Sequence, residues 1–150
     1  MSKINLPRLL ASLALPFLAG AIGSYFTLPA IETWYSALNK PALSPPNYLF
    51  GPVWSTLYVF MGISLYLVWK KYAKLFVFHL ALNAFWSIAF FGMQNISLGL
   101  LVIVALWAVI AYMIVKFFKV NKLASYLLVP YIAWVSFAAY LNFTLLILNP

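Results

Sequence analysis

Five predominantly apolar runs, at approximately 6–26, 48–69, 75–94, 97–118 and 123–147, leave this chain few ways to fold. A helix rising ~1.5 Å per residue needs ~20 apolar residues to cross a ~30 Å hydrocarbon core, and each run is about that long. Polar or turn-rich punctuation separates them: a long stretch from Thr27 to Asn47, then Lys70–Lys74, Gln94-Asn95-Ile96-Ser97 and Lys119–Lys122. Hydrocarbon offers no hydrogen bonds to an open backbone, so each run is expected to be helical. Only 7% of the 150 residues are charged, against roughly a quarter in soluble domains. The chain therefore cannot cover its own surface with polar groups, and lipid must take the place of water. The expected fold is an all-α membrane protein, a five-transmembrane-helix bundle in one domain over residues 1–150. Pro7, Pro52 and Pro130 fall near helix starts, where a missing amide hydrogen is tolerated, whereas Pro16 is placed to bend the first helix.

Charge placement gives an orientation. With five passes, the N-terminus and the second and fourth loops share one side, which collects Lys3, Arg8, Lys70, Lys71, Lys74, Lys116, Lys119 and Lys122. The other side holds Lys40, with Glu32 nearby. The positive-inside rule then puts the N-terminus in the cytoplasm. The same scatter of cations between apolar runs argues against a nucleic-acid partner, which needs them clustered on one solvated face. There are no cysteines, one His, one Glu and no Asp, so neither a metal site nor a resident cofactor is expected. No Asp, Glu, Lys or Arg lies near mid-span, so no ion-coupled transport relay is visible. Lys3, Arg8, Pro16 and Ala19-Gly20-Ala21 also imitate a cleavable leader. Apolar residues continuing to Leu28 favour a retained first helix, and the setting that fits is a bacterial or archaeal cell membrane.

The segment between the first two runs contains Trp34, Tyr35, Leu38, Lys40 and Pro41, then Pro45 and Pro46. Its length and apolar content point to an ordered loop capping one end of the bundle. At ~100° per residue, Asn83, Ser87, Phe90 and Gln94 fall within ~60° of one another, with Trp86 ~60° to one side of Asn83. Phe50, Trp54, Tyr58 and Met61 share one arc of the second run; Tyr131, Trp134, Ala138 and Asn142 share another on the fifth. Two readings of these faces stay open: a cavity for a flat apolar ligand, or plain helix–helix packing. Ala19, Gly20, Gly23 and Ala81, Ala84, Ser87 permit close helix approach within or between subunits. His79, near the Lys-rich end of its run, reads as an interfacial residue, with haem ligation as the sharper alternative. Val68…Tyr72…Lys74 and Leu106…Tyr112…Lys116 fit a loose sterol pattern of little weight.

One set of motifs carries a resemblance. Trp34-Tyr35-x-x-Leu38-x-Lys40-Pro41, Pro45-Pro46, Phe50-Gly51-Pro52-Val53-Trp54, Leu57-Tyr58 and Met61-Gly62 resemble the TspO/translocator protein family, also called tryptophan-rich sensory protein or peripheral-type benzodiazepine receptor. So do Leu82-Asn83 with Trp86, Phe90-Phe91, Pro130-Tyr131-x-x-Trp134, Phe137-Ala138 and Leu141-Asn142. The resemblance implies a five-helix, commonly homodimeric membrane receptor or translocator. Implied ligands are porphyrins and other tetrapyrroles, with lipids, sterols and synthetic benzodiazepine-type compounds beside them. Carried over by residue, the pocket uses Tyr35, Trp54, Asn83, Trp86, Phe90, Trp134 and Ala138, under a loop cap of Trp34, Lys40 and Pro41. Some bacterial members are associated with light-dependent porphyrin degradation; were that to occur here, Trp54 and Trp134 are the matching catalytic residues. Binding without turnover is the favoured expectation. Tyr140–Pro150 has neither Arg nor Lys, so the sterol motif of the animal members is absent.

Overall fold

A computed structural model describes residues 3–150, and every described element is helical. Helix α1 (Leu6–Ile31) is followed by two single 3-10 turns, Tyr35–Ala37 and Asn47–Leu49. Helix α2 (Phe50–Ser87) runs on into a π-helical turn, Ile88–Gly92; then come α3 (Ile96–Phe118), the short α4 (Lys122–Tyr126) and α5 (Val129–Leu148). Three starts are capped by asparagine side chains: Asn5 accepts from the Arg8 amide, Asn95 from that of Leu98 and Asn121 from that of Ala124. Each relieves one of the orphan amides of a first turn. Pro7 and Pro130 sit in first turns as expected, and α1 continues past Pro16 to Ile31.

Among the described residues, four helical stretches are long and apolar enough to cross a bilayer: Leu6–Ile31, Asn47–Gly92, Ile96–Phe118 and Lys122–Leu148. The break expected at Lys70–Lys74 is not there; those residues are helical. Lys, Tyr and Ala all tolerate a helix interior, and neither Gly nor Pro stands among them. The helix is nevertheless far from straight. Tyr58 meets α1 at Gly20 and Ser87 meets it at Gly23, although 29 intervening residue steps would separate the two by ~44 Å on a straight axis. Trp54 and His79 likewise both pack on Tyr131. The two halves of α2 therefore lie side by side against α1.

Near the middle of α2, Asn5 donates its amide to the Tyr66 hydroxyl, and Arg8 lies 4.3 Å from the Tyr66 ring centre. Ser64 donates to Ala124 O at 2.7 Å and Ser125 to Ile114 O at 2.8 Å, pinning α4 beneath the bundle. Met61, Leu65, Phe76, Ile110, Met113, Phe117 and Tyr131 are fully enclosed. Outward positions are apolar too: Leu10 is 58% exposed, Phe78 55%, Leu101 67% and Ile147 61%. Such surface on every long helix is compatible with lipid and not with water.

Close approach of α1 and α2 depends on Gly62. A Cβ there would sit 2.7 Å from Leu13 Cδ2, 2.9 Å from Leu13 Cα and 3.0 Å from Ser12 O. Two of these are backbone atoms that cannot swing aside. Gly62→Ala is expected to cost ~1–2 kcal/mol, the overpacking penalty less the gain in helix propensity. A thermal melt in detergent checks this, and an unchanged or raised midpoint contradicts it.

Candidate ligand cavity

Between α1, the two halves of α2, α3 and α5 lies a cavity of about 480 Å³, with Tyr35 and Asn47 of the segment joining α1 to α2 in its lining. Tyr35, Trp54, Asn83, Trp86, Phe90, Trp134 and Ala138 all line it. Residues expected from the loop, from α2 and from α5 are thus brought to one space. Trp54 lies 5.7 Å from Tyr58 and 6.3 Å from Tyr131, and Trp134 lies 6.0 Å from Phe50. On the other wall Trp86 and Phe90 stack at 5.4 Å and 21°.

The π-helical turn explains the crowding of phenylalanines. An extra residue in the turn shifts the register, so that Phe90 and Phe91 both reach the cavity. The same shift corrects an expectation. Gln94, placed by regular periodicity on the Asn83 face, instead follows the turn with φ 51° and is exposed, away from the lining.

The residues expected to form the cap differ in their placement. Tyr35 is buried against Phe90 and Phe91, and burial pushes its phenol above the ordinary value. Trp34 does not line the cavity but sets its ring edge-on to Phe90 at 5.4 Å. Lys40 is exposed; its ammonium lies 4.9 Å from the Tyr35 ring centre and donates to Ser36 O and Leu38 O. Pro41 is buried. Asn39 and Asn149 clasp each other, the Asn39 amide donating to Asn149 Oδ1 and Asn149 Nδ2 to Asn39 O, both at 2.9 Å. This clasp ties the loop to the end of α5. Sequence reasoning missed it, because two asparagines 110 residues apart carry no local signal.

The polar groups are few and placed. Asn142 accepts from the Trp86 indole at 3.2 Å and donates to Ile96 O at 2.9 Å, joining α5, α2 and α3. Asn83 donates to the Tyr131 hydroxyl at 2.8 Å. The Trp134 indole N–H is buried without a partner among the described residues. His79 corrects a second expectation: it is not interfacial but fully buried, bonded to Tyr131 and to Phe76 O. Gly20 and Gly23, read as packing residues, also form cavity wall. At Gly20 a Cβ would strike the Tyr58 ring at 2.4 Å, so small size there gives the ring its place. A space walled by rings, with amides at a few points, is suited to holding a flat, largely apolar molecule.

Comparison with known proteins agrees in scope. The chain is 41% identical to the tryptophan-rich protein TspO of Archaeoglobus fulgidus, over 97% of this chain and 99% of that one. It is 48% identical to the tryptophan-rich protein TspO of Chlorobaculum tepidum, over 87% and 89%, and 36% identical to the human translocator protein, over 85% and 82%. The TspO/MBR family profile matches residues 12–148. Apolar outer faces, four bilayer-length helical stretches and likeness over nearly the whole chain agree: this is an integral membrane protein belonging to the TspO/MBR family.

Proposed function

We propose that this protein is a receptor- and translocator-like membrane protein that holds a porphyrin or related planar tetrapyrrole in the aromatic cavity, beneath the first loop. The observation that carries this reading is the convergence of Tyr35, Trp54, Trp86, Phe90 and Trp134, from three separate parts of the chain, on one space. Its volume, about 480 Å³, falls within the ~300–1,000 Å³ usual for small-molecule sites. In this reading the two halves of α2 are separate passes, making five over a single domain. The lysine-rich end, with the N-terminus, faces the cytoplasm of a bacterial or archaeal cell. The assembly is a homodimer. Lipids, sterols and benzodiazepine-type compounds compete for the same space.

Protoporphyrin titrated into the detergent-solubilised protein, followed by tryptophan quenching, tests the reading. Saturable binding is expected, weakened several-fold in Trp54→Phe or Trp134→Phe, because each swap removes stacking area and an indole N–H. Unaltered affinity in both variants refutes the assignment. Light-dependent porphyrin degradation is the second reading, favoured by one observation: Trp54 and Trp134 both face the space a porphyrin would fill. Illuminating the complex separates the two. A binder returns the porphyrin unchanged, whereas an enzyme yields a new chromophore faster than free tryptophan does.

A further inference from the structure

The buried His79–Tyr131–Asn83 chain has a direction that the chemistry of its atoms fixes. His79 Nδ1 lies 3.2 Å from Phe76 O. A carbonyl oxygen can only accept, so Nδ1 carries the imidazole proton and Nε2 of the neutral ring is left as an acceptor. Tyr131 Oη, 2.7 Å from Nε2, must then donate to it. That leaves the phenol oxygen free to accept, and Asn83 Nδ2 donates to it at 2.8 Å. His79 and Tyr131 have no exposed surface and Asn83 is 6% exposed.

This direction fixes which way round the Asn83 amide sits. Its nitrogen is held towards Tyr131, and its carbonyl oxygen has no partner among the described residues. Asn83 lines the cavity. The other buried amide in the lining, Asn142, spends its oxygen on Trp86 and its nitrogen on Ile96 O. Asn83 Oδ1 is therefore the uncommitted carbonyl of the two.

We propose that His79, acting through Tyr131, is a positioning residue that turns the Asn83 carbonyl oxygen to the cavity, so that the site favours planar ligands carrying an N–H or O–H donor at the ring edge. This rests on the cavity being the ligand site. Replacing His79 by an apolar residue removes the acceptor for Tyr131. The phenol is then free to donate to Asn83 Oδ1, which turns the amide over and presents its nitrogen to the ligand.

Carbazole and N-methylcarbazole, which differ in one donor, test this by calorimetric titration of the intact detergent-solubilised protein. The wild type is expected to bind carbazole about fivefold more tightly, the worth of one net hydrogen bond. His79→Phe is expected to lose or reverse that preference. His79→Gln, whose amide oxygen can accept from Tyr131, restores it, a rescue that loss of packing alone does not produce. Tyr131→Phe and Asn83→Leu each abolish the preference, keeping the test open if His79→Phe does not fold. Equal binding of both compounds by the wild type overturns the proposal and leaves the cavity assignment standing. Absence of binding by either compound, with protoporphyrin still bound, overturns it equally; absence of protoporphyrin binding as well fells both.

Discussion

The Ala138→Phe substitution is expected to weaken protoporphyrin binding by about a hundredfold or more, equivalent to a loss of about 2.7 kcal/mol, while leaving the melting temperature near that of the parent. Ala138 lies on α5, one turn beyond Trp134, and faces the cavity. A phenyl ring added there has open space to enter, so it competes with the ligand and not with the core. Overpacking of a filled site behaves differently, since neighbours must then move at a cost of ~1–3 kcal/mol. The pairing of lost binding with retained stability is the signature sought. Binding that persists at parental affinity places the ligand elsewhere. One alternative surface is the shallower groove on the outer face between α2 and α5, lined by Val53, Leu57, Phe60 and Phe137.

Asn142→Leu is expected to produce the largest loss of stability, ~2–4 kcal/mol, at nearly unchanged side-chain volume. The asparagine is 1% exposed and serves three helices: its oxygen receives the Trp86 indole N–H and its amide nitrogen donates to Ile96 O. Leucine leaves that N–H and that carbonyl without these partners, and each buried orphan costs ~1–3 kcal/mol. The carbonyl costs the less, being a helix acceptor with a second lone pair to lose. A double variant, Asn142→Leu with Trp86→Phe, is expected to recover part of the loss, because the orphaned N–H goes with the indole. Thermal unfolding in detergent reads both. A double variant as unstable as the sum of its parts contradicts the pairing.

Much of this molecule could be read from the chain before any coordinate. Apolar runs of bilayer length have one backbone solution in hydrocarbon, so α3 appears close to where its run puts it, whereas α1 continues to Ile31 and the fifth run divides into α4 and α5. Shared faces were legible for a related reason: a regular helix repeats its face every three or four residues, which groups Asn83, Trp86 and Phe90, although periodicity alone did not separate a cavity from helix packing. They stopped being legible where the helix ceased to be regular. The π-helical turn at Ile88–Gly92 brings Phe91 in and turns Gln94 out, and nothing in Ile-Ala-Phe-Phe-Gly announces a π turn. Continuity through Lys70–Lys74 was hidden likewise, because lysines mark a membrane edge equally well in a loop and in a helix. His79 was misplaced because proximity to lysines along the chain says little about facing. One turn further on, at Asn83, the same face reaches the Tyr131 hydroxyl that holds both side chains.

Contacts between distant positions lay beyond sequence reasoning altogether. The Asn39–Asn149 clasp and the packing of Tyr58 on Gly20 join residues whose partners are set only once the chain has folded. The first ties the loop to the end of α5, and the second places a cavity wall.

The six tryptophans of this chain allow the site to be tested position by position. With 5-fluorotryptophan incorporated throughout and each signal assigned by single replacement, protoporphyrin should move the fluorine resonances of Trp54, Trp86 and Trp134, which line the cavity. Trp69, and Trp107, whose indole is bonded to Ser136 on the outer face, should stay where they are. Shifts confined to Trp69 and Trp107, with the three cavity signals unmoved at saturation, would mean that the ligand binds outside the bundle.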